Sequence, residues 1–247
     1  MQDAISVKKQ VSARFVMHSA VLFGRLSMLA FVLFLLLGSF NLVDMHLQPS
    51  AEMVWDGLLS SLFFLQHSGM IRRRFRAWLE KRISNCYHGA VFALASSLAL
   101  ALVVVFWQSS GPPLIVLHGS LRWIARGVFI AAAAGIGWGY WSLGGFDPFG
   151  VGPIKDKLSG VRTQAQPLIV RGSYLWVRHP LYFFCLLMIW SCPDLSADRL
   201  LFNLSWTVWI FIGAVLEEKD LLSEFGDGYR KYQKKVPMLI PWKGFTP

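Results

Sequence analysis

Residues 176–190 read WVRHPLYFFCLLMIW, so that a cation, an imidazole and a proline stand directly before an apolar run. Proline is favoured in the first turn of a helix, where the backbone N–H has no intrahelical partner. The stretch therefore predicts a helix that starts near Pro180, with Arg178 and His179 at its entrance. The free N–H groups of a helix start favour anions, which makes both residues candidates for ligand binding. The alternative for Arg178 is that it only anchors the helix to lipid headgroups.

The whole chain is more apolar than a soluble domain. Of its 247 residues 55% are hydrophobic and 15% are charged, and the mean hydropathy is +0.47. Soluble domains carry about 25% charged residues. Several apolar runs approach the roughly 20 residues that cross a bilayer, so we expect an all-α integral membrane protein.

The apolar runs predict five to six transmembrane helices, including a C-terminal helical hairpin. The four N-terminal spans are expected at 26–43, 53–70, 87–107 and 127–143, and the hairpin at 182–192 and 200–216 with its turn at 193–198. We interpret residues 1–247 as a single membrane domain. In it, 26–143 hold the four spans, and 144–247 hold a ligand-binding loop, the hairpin and a cytosolic tail.

The net charge of +10 predicts the orientation of the chain. Lys and Arg collect on the cytosolic side of membrane proteins. With six crossings and a cytosolic N-terminus, the cytosolic segments contain 21 of the 24 Lys and Arg. Both termini and the polar segments beside the hairpin are thus expected in the cytosol. The charge indicates contact with membrane lipid and not with nucleic acid.

The three cysteines give no sign of a metal site. Cys86, Cys185 and Cys192 form no CxxC pair and no cluster with histidine. Free cysteines are commonly buried as small apolar residues. We therefore expect neither a disulfide framework nor a metal centre.

Two acidic residues, Glu217 and Glu218, directly follow the second helix of the hairpin. Carboxylates near a helix C-terminus oppose its dipole at a cost of about 0.3–1 kcal/mol each. Water and Lys219 could compensate them, or a cationic ligand could. Since the hairpin returns this end towards Arg178 and His179, the second reading predicts a cytosolic pocket for a charged or zwitterionic ligand.

The tail that follows carries tyrosines within a basic segment. Tyr229 and Tyr232 are spaced i, i+3 and share one helix face. The tail could lie on anionic lipid or fold back as a lid over the pocket. Its basic and aromatic composition favours lipid contact.

These segments resemble a known superfamily. VRGSYLWVRHPLY at 170–182 and EEKDLLSEFGDGYRKYQKKVPMLIP at 217–241 are similar to the isoprenylcysteine carboxyl methyltransferase superfamily of membrane enzymes. Within it the chain looks most like the bacterial methanethiol S-methyltransferases. The stretches that carry this closer resemblance are LQHSGMIRRRFRAWLEKR at 65–82, GGFDPFG at 144–150, IWSCPDLSADRLLF at 189–202 and VPMLIP at 236–241.

The resemblance implies S-adenosylmethionine as cofactor and methyl transfer to a small membrane-permeable thiol, such as methanethiol giving dimethyl sulfide. It implies a bacterial inner-membrane enzyme with a cytosolic cofactor site, in which Glu217 holds the positive end of the cofactor. His67 and Tyr182 are the candidate catalytic residues that orient or deprotonate the thiol. The candidate cofactor-binding residues are Gln166, Pro167, Leu168, Ile169, Tyr174, Arg178, His179, Pro180, Leu181, Tyr182, Glu217 and Glu218.

Other functions stay open at this point. The acceptor could be another lipid-soluble molecule, such as an isoprenylcysteine carboxylate or a phospholipid amine. Carboxyl methyltransferases of the superfamily carry an arginine about four residues before the glutamate, where this chain has Gly213. The His67–Ser68 pair also occurs in a related membrane family linked to nitrogen-oxide metabolism, so a non-enzymatic membrane protein is a further alternative. The sequence does not give the oligomeric state.

Overall fold

The computed structural model describes residues 2–161 and 167–243, with side chains from residue 10 onwards. Within these residues it is mostly helical. The helices are α1 (Gln2–Leu37), α2 (Pro49–Ile71), α3 (Arg73–Glu80), α4 (His88–Phe106), α5 (Gly119–Leu143), α6 (Gly152–Ser159), α7 (Pro180–Trp190) and α8 (Ala197–Lys235), with 3₁₀ turns at Asn85–Tyr87 and Gly172–Leu175. Two short strands, β1 (Ile115–Val116) and β2 (Asp194–Leu195), pair antiparallel.

Three helical segments among the described residues are long and apolar enough to cross a membrane. They are Gln10–Leu37, Asn85–Phe106 and Ala197–Lys235, while the equally apolar Pro180–Trp190 has only 11 residues. The chain is therefore an α-helical membrane protein, as its composition predicts. A count of five to six spans stays a prediction.

The chain folds into two compact units. Among the described residues, the first contains 2–46, 54–108 and 147–161, and the second contains 47–53, 109–146 and 167–243. In the first unit α1 packs along α4, with Ala13 and Ala20 buried beside Ala90. A glycine of α4 also lets the loop before α6 approach closely: a Cβ on Gly89 would lie 2.6 Å from the Cα of Gly150.

The first predicted span, 26–43, was wrong at both ends. The helix extends from Gln2 to Leu37 because its N-terminal half also packs on protein: Ala13 and Ala20 are buried against Ala90 and its neighbours. It ends where Gly38 adopts a left-handed backbone, φ 92°. Charged residues in this half lowered its apparent hydrophobicity without preventing the helix.

Three further boundaries differ from the sequence predictions. The fourth predicted span, 127–143, corresponds to α5, which begins earlier, at Gly119; Arg122 is paired with Asp194 and does not interrupt the helix. The hairpin's second helix begins at Ala197 and continues past 216 to a break at Gly226, after which a helical segment runs to Lys235. The turn between the hairpin helices contains β2, which pairs with β1. This pair of two-residue strands was not part of the all-α prediction.

The second unit places the start of α7 firmly against α5. Glycines on α5 allow this contact: a Cβ on Gly135 would lie 2.4 Å from the ring of Phe184, and a Cβ on Gly139 would lie 2.8 Å from Leu181. The small residues of α5 therefore fix the entrance of α7, where Arg178 and His179 are found.

Helices α7 and α8 run antiparallel and are joined at both ends. Near the turn, the indole N–H of Trp190 donates to Thr207 at 2.9 Å. At the other end, the Tyr182 hydroxyl donates to Glu217 at 2.8 Å. The helical path of α8 is broken at Gly226, with φ 53° and ψ −127°, and this change of direction sends residues 227–235 back towards α7.

Candidate active site

The Glu218 carboxylate is the centre of a buried polar cluster in the second unit. Its side chain is 10% exposed and accepts five hydrogen bonds. Arg178 donates two of them in a bidentate pair, both at 2.8 Å. The others come from His179 at 2.9 Å, Tyr229 at 2.6 Å and Gln233 at 2.6 Å. A buried carboxylate is stable only when it is paired and hydrogen-bonded in this way.

The guanidinium of Arg178 is also almost fully engaged. Besides Glu218, it donates to the carbonyl oxygens of Gln233, at 3.2 Å, and of Val236. Burial alone would lower the pKa of Arg178, but the hydrogen bonds and charge of Glu218 raise it above its usual value. The side chain is 9% exposed, so it is held inside the protein and does not extend to lipid headgroups.

The neighbouring Glu217 has a different environment. Its side chain is 45% exposed, and the Tyr182 hydroxyl donates to it. The Nδ1 atom of His179 lies 3.7 Å from its Oε2 atom. Glu217 can therefore accept further hydrogen bonds, whereas the carboxylate oxygens of Glu218 already accept theirs from the protein.

The proton arrangement of His179 follows from these contacts. Glu218 is surrounded by donors and acts as an acceptor, so the Nε2 atom of His179 must carry the proton in their hydrogen bond. The other ring nitrogen, Nδ1, faces Glu217. The ring is 4% exposed and stacks on Tyr182, with ring centroids 5.4 Å apart.

The C-terminal segment folds back onto this cluster. The N–H groups of Arg178 and His179 donate to the carbonyls of Pro237 and Met238, at 2.9 and 3.1 Å. Tyr229 and Tyr232 are 1% and 7% exposed. The preference for lipid contact was therefore wrong for this part of the tail: the two rings are buried because their hydroxyl groups find partners inside the protein.

Most other candidate residues lie in the second unit. The carbonyl of Tyr174 accepts a hydrogen bond from Tyr232 at 2.5 Å, and burial and the charge of Glu217 raise the pKa of the Tyr174 phenol. Leu168 packs on the buried cluster of Tyr229 and Tyr232. Pro180 is buried at the start of α7. Pro167, Ile169 and Leu181 belong to the same unit, and Gln166 lies outside the described residues.

His67 belongs to the first unit. Its Nδ1 atom is 3.2 Å from the Ser96 hydroxyl, and its ring contacts Phe63 and Phe92, with centroids 5.3 and 4.9 Å away. This environment is compatible with a packing role and with a polar role through Ser96.

Sequence reasoning missed Gln233 and the partners of Tyr229. Both residues follow the break at Gly226, so helical spacing from Glu218 does not predict that they return to it. The one available signal was the i, i+3 tyrosine pair, which gives an otherwise basic segment an aromatic face.

Arg178 is paired with Glu218, and Glu217 is the more exposed of the two glutamates. The apolar helices define a helical membrane protein, and this cluster of charged and polar side chains lies at the entrance of its C-terminal hairpin.

The chain is similar to curated methanethiol S-methyltransferases and to Nurim. A methanethiol S-methyltransferase of Pseudomonas sp. is 37% identical over 80% of this chain and 76% of its own length. The methanethiol S-methyltransferase of Pseudomonas deceptionensis is 33% identical over 78% of this chain and 74% of its own. Rat Nurim is 26% identical over 69% of this chain and 68% of its own. No family model and no solved structure matches.

The chain belongs to the methanethiol S-methyltransferase family. It is a membrane methyltransferase. These comparisons confirm the resemblance that the sequence motifs indicated, and they do not favour the alternative functions.

Proposed function

We propose that the protein transfers a methyl group from S-adenosylmethionine to a small membrane-permeable thiol, methanethiol in the first instance, and so forms dimethyl sulfide. The observation that carries this proposal is the contrast between Glu217 and Glu218. The Glu218 carboxylate accepts five hydrogen bonds from the protein, whereas the Glu217 carboxylate is half-exposed and accepts one from Tyr182. The names of the relatives support the choice of acceptor.

The chemistry of the site fits the cofactor. A half-exposed carboxylate beside a polar, hydrogen-bonded ring suits a ligand with positive charge. S-adenosylmethionine supplies, when bound, a methyl group made electrophilic by a sulfonium. In our proposal Glu217 holds its positive end.

The remaining site residues have separate tasks in the proposal. Tyr182 fixes Glu217 through its hydroxyl, and His179 faces Glu217 through Nδ1. Arg178 and Glu218 keep these residues in place. In the proposal the wall of the cofactor site is assigned, from the resemblance, to Gln166, Pro167, Leu168, Ile169, Tyr174, Pro180 and Leu181.

A neutral or thiol acceptor suits this chain better than a carboxylate. At Gly213, four residues before Glu217, an added Cβ would meet nothing within 4 Å, and the glycine offers no cation. A carboxylate without a partner in a dry cavity would be costly. A thiol has a pKa near 8.5, so modest help in losing its proton is enough, and His67 is the proposed source of that help.

The proposed setting is a bacterial inner membrane that the chain crosses five or six times. Both termini and the cofactor site lie on the cytosolic side in this proposal. The distribution of Lys and Arg along the chain supports that orientation.

The test of the cofactor site is the Glu217→Gln variant, which removes the charge and keeps the size of the side chain. A hydrogen bond to a charged group contributes about 1.5–3 kcal/mol, so we expect affinity for S-adenosylmethionine to fall about 10–100-fold. Isothermal titration calorimetry in detergent measures this change.

Glu224→Gln is the matched control, because Glu224 is exposed on the same helix. Equal affinities in wild type and Glu217→Gln would contradict the assignment. The acceptor is tested separately by headspace gas chromatography of cells fed methanethiol. If no dimethyl sulfide forms while S-adenosylmethionine still binds, the thiol acceptor is wrong, and labelled cofactor with amine and carboxylate acceptors decides between the others.

A further inference from the structure

The tail between Tyr229 and Met238 is hydrogen-bonded to four of the candidate cofactor residues, of which Glu218 is one. It bonds to the backbone of Arg178 and His179 through Pro237 and Met238, and to the carbonyl of Tyr174 through Tyr232. The tyrosines that it contributes are 1% and 7% exposed. These side chains are directed at protein groups and can influence a ligand only through them.

Two tail side chains complete the donor set of Glu218. Tyr229 donates to the Oε1 atom, which also accepts from His179 and from Nε of Arg178. Gln233 donates to Oε2, which also accepts from the other end of the guanidinium. With each oxygen held by several donors, the carboxylate has one orientation in which all are satisfied.

That orientation determines how His179 is presented. Because Glu218 accepts from Nε2, it holds the imidazole with Nδ1 towards Glu217, 3.7 Å away. Tyr182, stacked on the imidazole, donates to the same Glu217 carboxylate. A continuous series of contacts therefore runs from Tyr229 and Gln233, through Glu218 and His179, to the half-exposed Glu217.

We propose that Tyr229 and Gln233 are positioning residues of the cofactor site, which act through Glu218 and His179 to orient Glu217. The tail is accordingly part of the active site and not a lipid anchor. This inference rests on the proposed function, since it concerns the residues assigned to S-adenosylmethionine.

The experiment compares Tyr229→Phe with wild type and with Tyr140→Phe. The first variant removes one hydroxyl from the series and keeps the buried ring. Tyr140 is a 45% exposed tyrosine on α5, outside the assigned site. Affinity for S-adenosylmethionine is measured by calorimetry, and KM for each substrate and kcat are measured with methanethiol.

We expect Tyr229→Phe to weaken cofactor affinity and raise KM for S-adenosylmethionine about 3–10-fold, as for loss of one hydrogen bond. The KM for methanethiol and kcat at saturation should stay within about twofold of wild type, because in the proposal the change displaces only Glu217, which holds the cofactor. Tyr140→Phe should match wild type in every measurement.

A lower melting temperature of Tyr229→Phe with wild-type cofactor affinity would show a merely structural role and overturn the inference. Equal loss in the two KM values would do the same. If Tyr229→Phe does not fold, Gln233→Ala carries the same test, because it removes one neutral donor from Oε2 and no ring. Wild-type protein that binds no S-adenosylmethionine would overturn the proposed function as well, so the two failures are distinguishable.

Discussion

Replacing Glu218 with Gln should destabilise the protein more than any other single-atom change at the site. The carboxylate accepts five hydrogen bonds from four residues. A carboxamide keeps one acceptor oxygen and turns an N–H₂ group towards at least one donor. Arg178, whose side chain is 9% exposed, would then retain its charge without its counter-ion.

The magnitude follows from this burial. Breaking a buried ion pair by removing one partner costs about 3–5 kcal/mol. The individual hydrogen bonds to a charged group, about 1.5–3 kcal/mol each, do not add up beyond this because they share one carboxylate. For a chain of this length 1 kcal/mol lowers the melting temperature by about 2–4 °C, so we expect a decrease of about 6–20 °C.

The assay is thermal unfolding of purified protein in detergent without cofactor, with Glu217→Gln as the matched control. Glu217 is the adjacent residue, carries the same charge and is 45% exposed, so its replacement should change the melting temperature by no more than about 4 °C. If the melting temperature of Glu218→Gln falls by less than about 3 °C, or if it falls equally in the two variants, the distinction between a fully hydrogen-bonded Glu218 and an available Glu217 is refuted.

Two further variants test the tail and His67. Gly226→Ala should lower both the melting temperature and the affinity for S-adenosylmethionine. A backbone at φ 53° costs a residue with a Cβ about 1–3 kcal/mol, and the added Cβ would meet nothing within 4 Å, so the effect comes from the backbone alone. Wild-type affinity by calorimetry would argue against a need for the bend. His67→Phe should keep the ring packing on Phe63 and Phe92 and reduce dimethyl sulfide formation at neutral pH, with a deficit that shrinks as pH rises and the thiol ionises without help. A deficit that is the same at every pH would assign His67 a structural role.

The entrance of α7 shows how much of the site was predictable. Proline before an apolar run predicts a helix start from local backbone chemistry, and α7 begins at Pro180. The apolar runs likewise predicted a helical membrane protein. Both inferences depend on interactions within about one turn of helix or on transfer to lipid, so neighbouring sequence was sufficient.

The boundaries of α1 and α8 show where local reasoning failed. Charged residues in the first half of α1 made 26 look like the start of the span, although Ala13 and Ala20 are buried against protein. The sequence predicted a helix face for Tyr229 and Tyr232 but ended the hairpin helix at 216, because the charged residues that follow lower the hydropathy. Hydropathy records the average polarity of a window and does not show which residues another helix covers.

The amino-acid sequence by itself determined the helical membrane class, the start of α7 and the pairing of Arg178 and His179 with an acidic pair across a hairpin. Only the tertiary structure decided which glutamate is committed to the protein. Glu217 and Glu218 are identical residues at adjacent positions, and adjacent positions on a helix point about 100° apart. One therefore faces the returning tail and its donors and the other faces outwards, a difference that depends on long-range contacts with Tyr229 and Gln233.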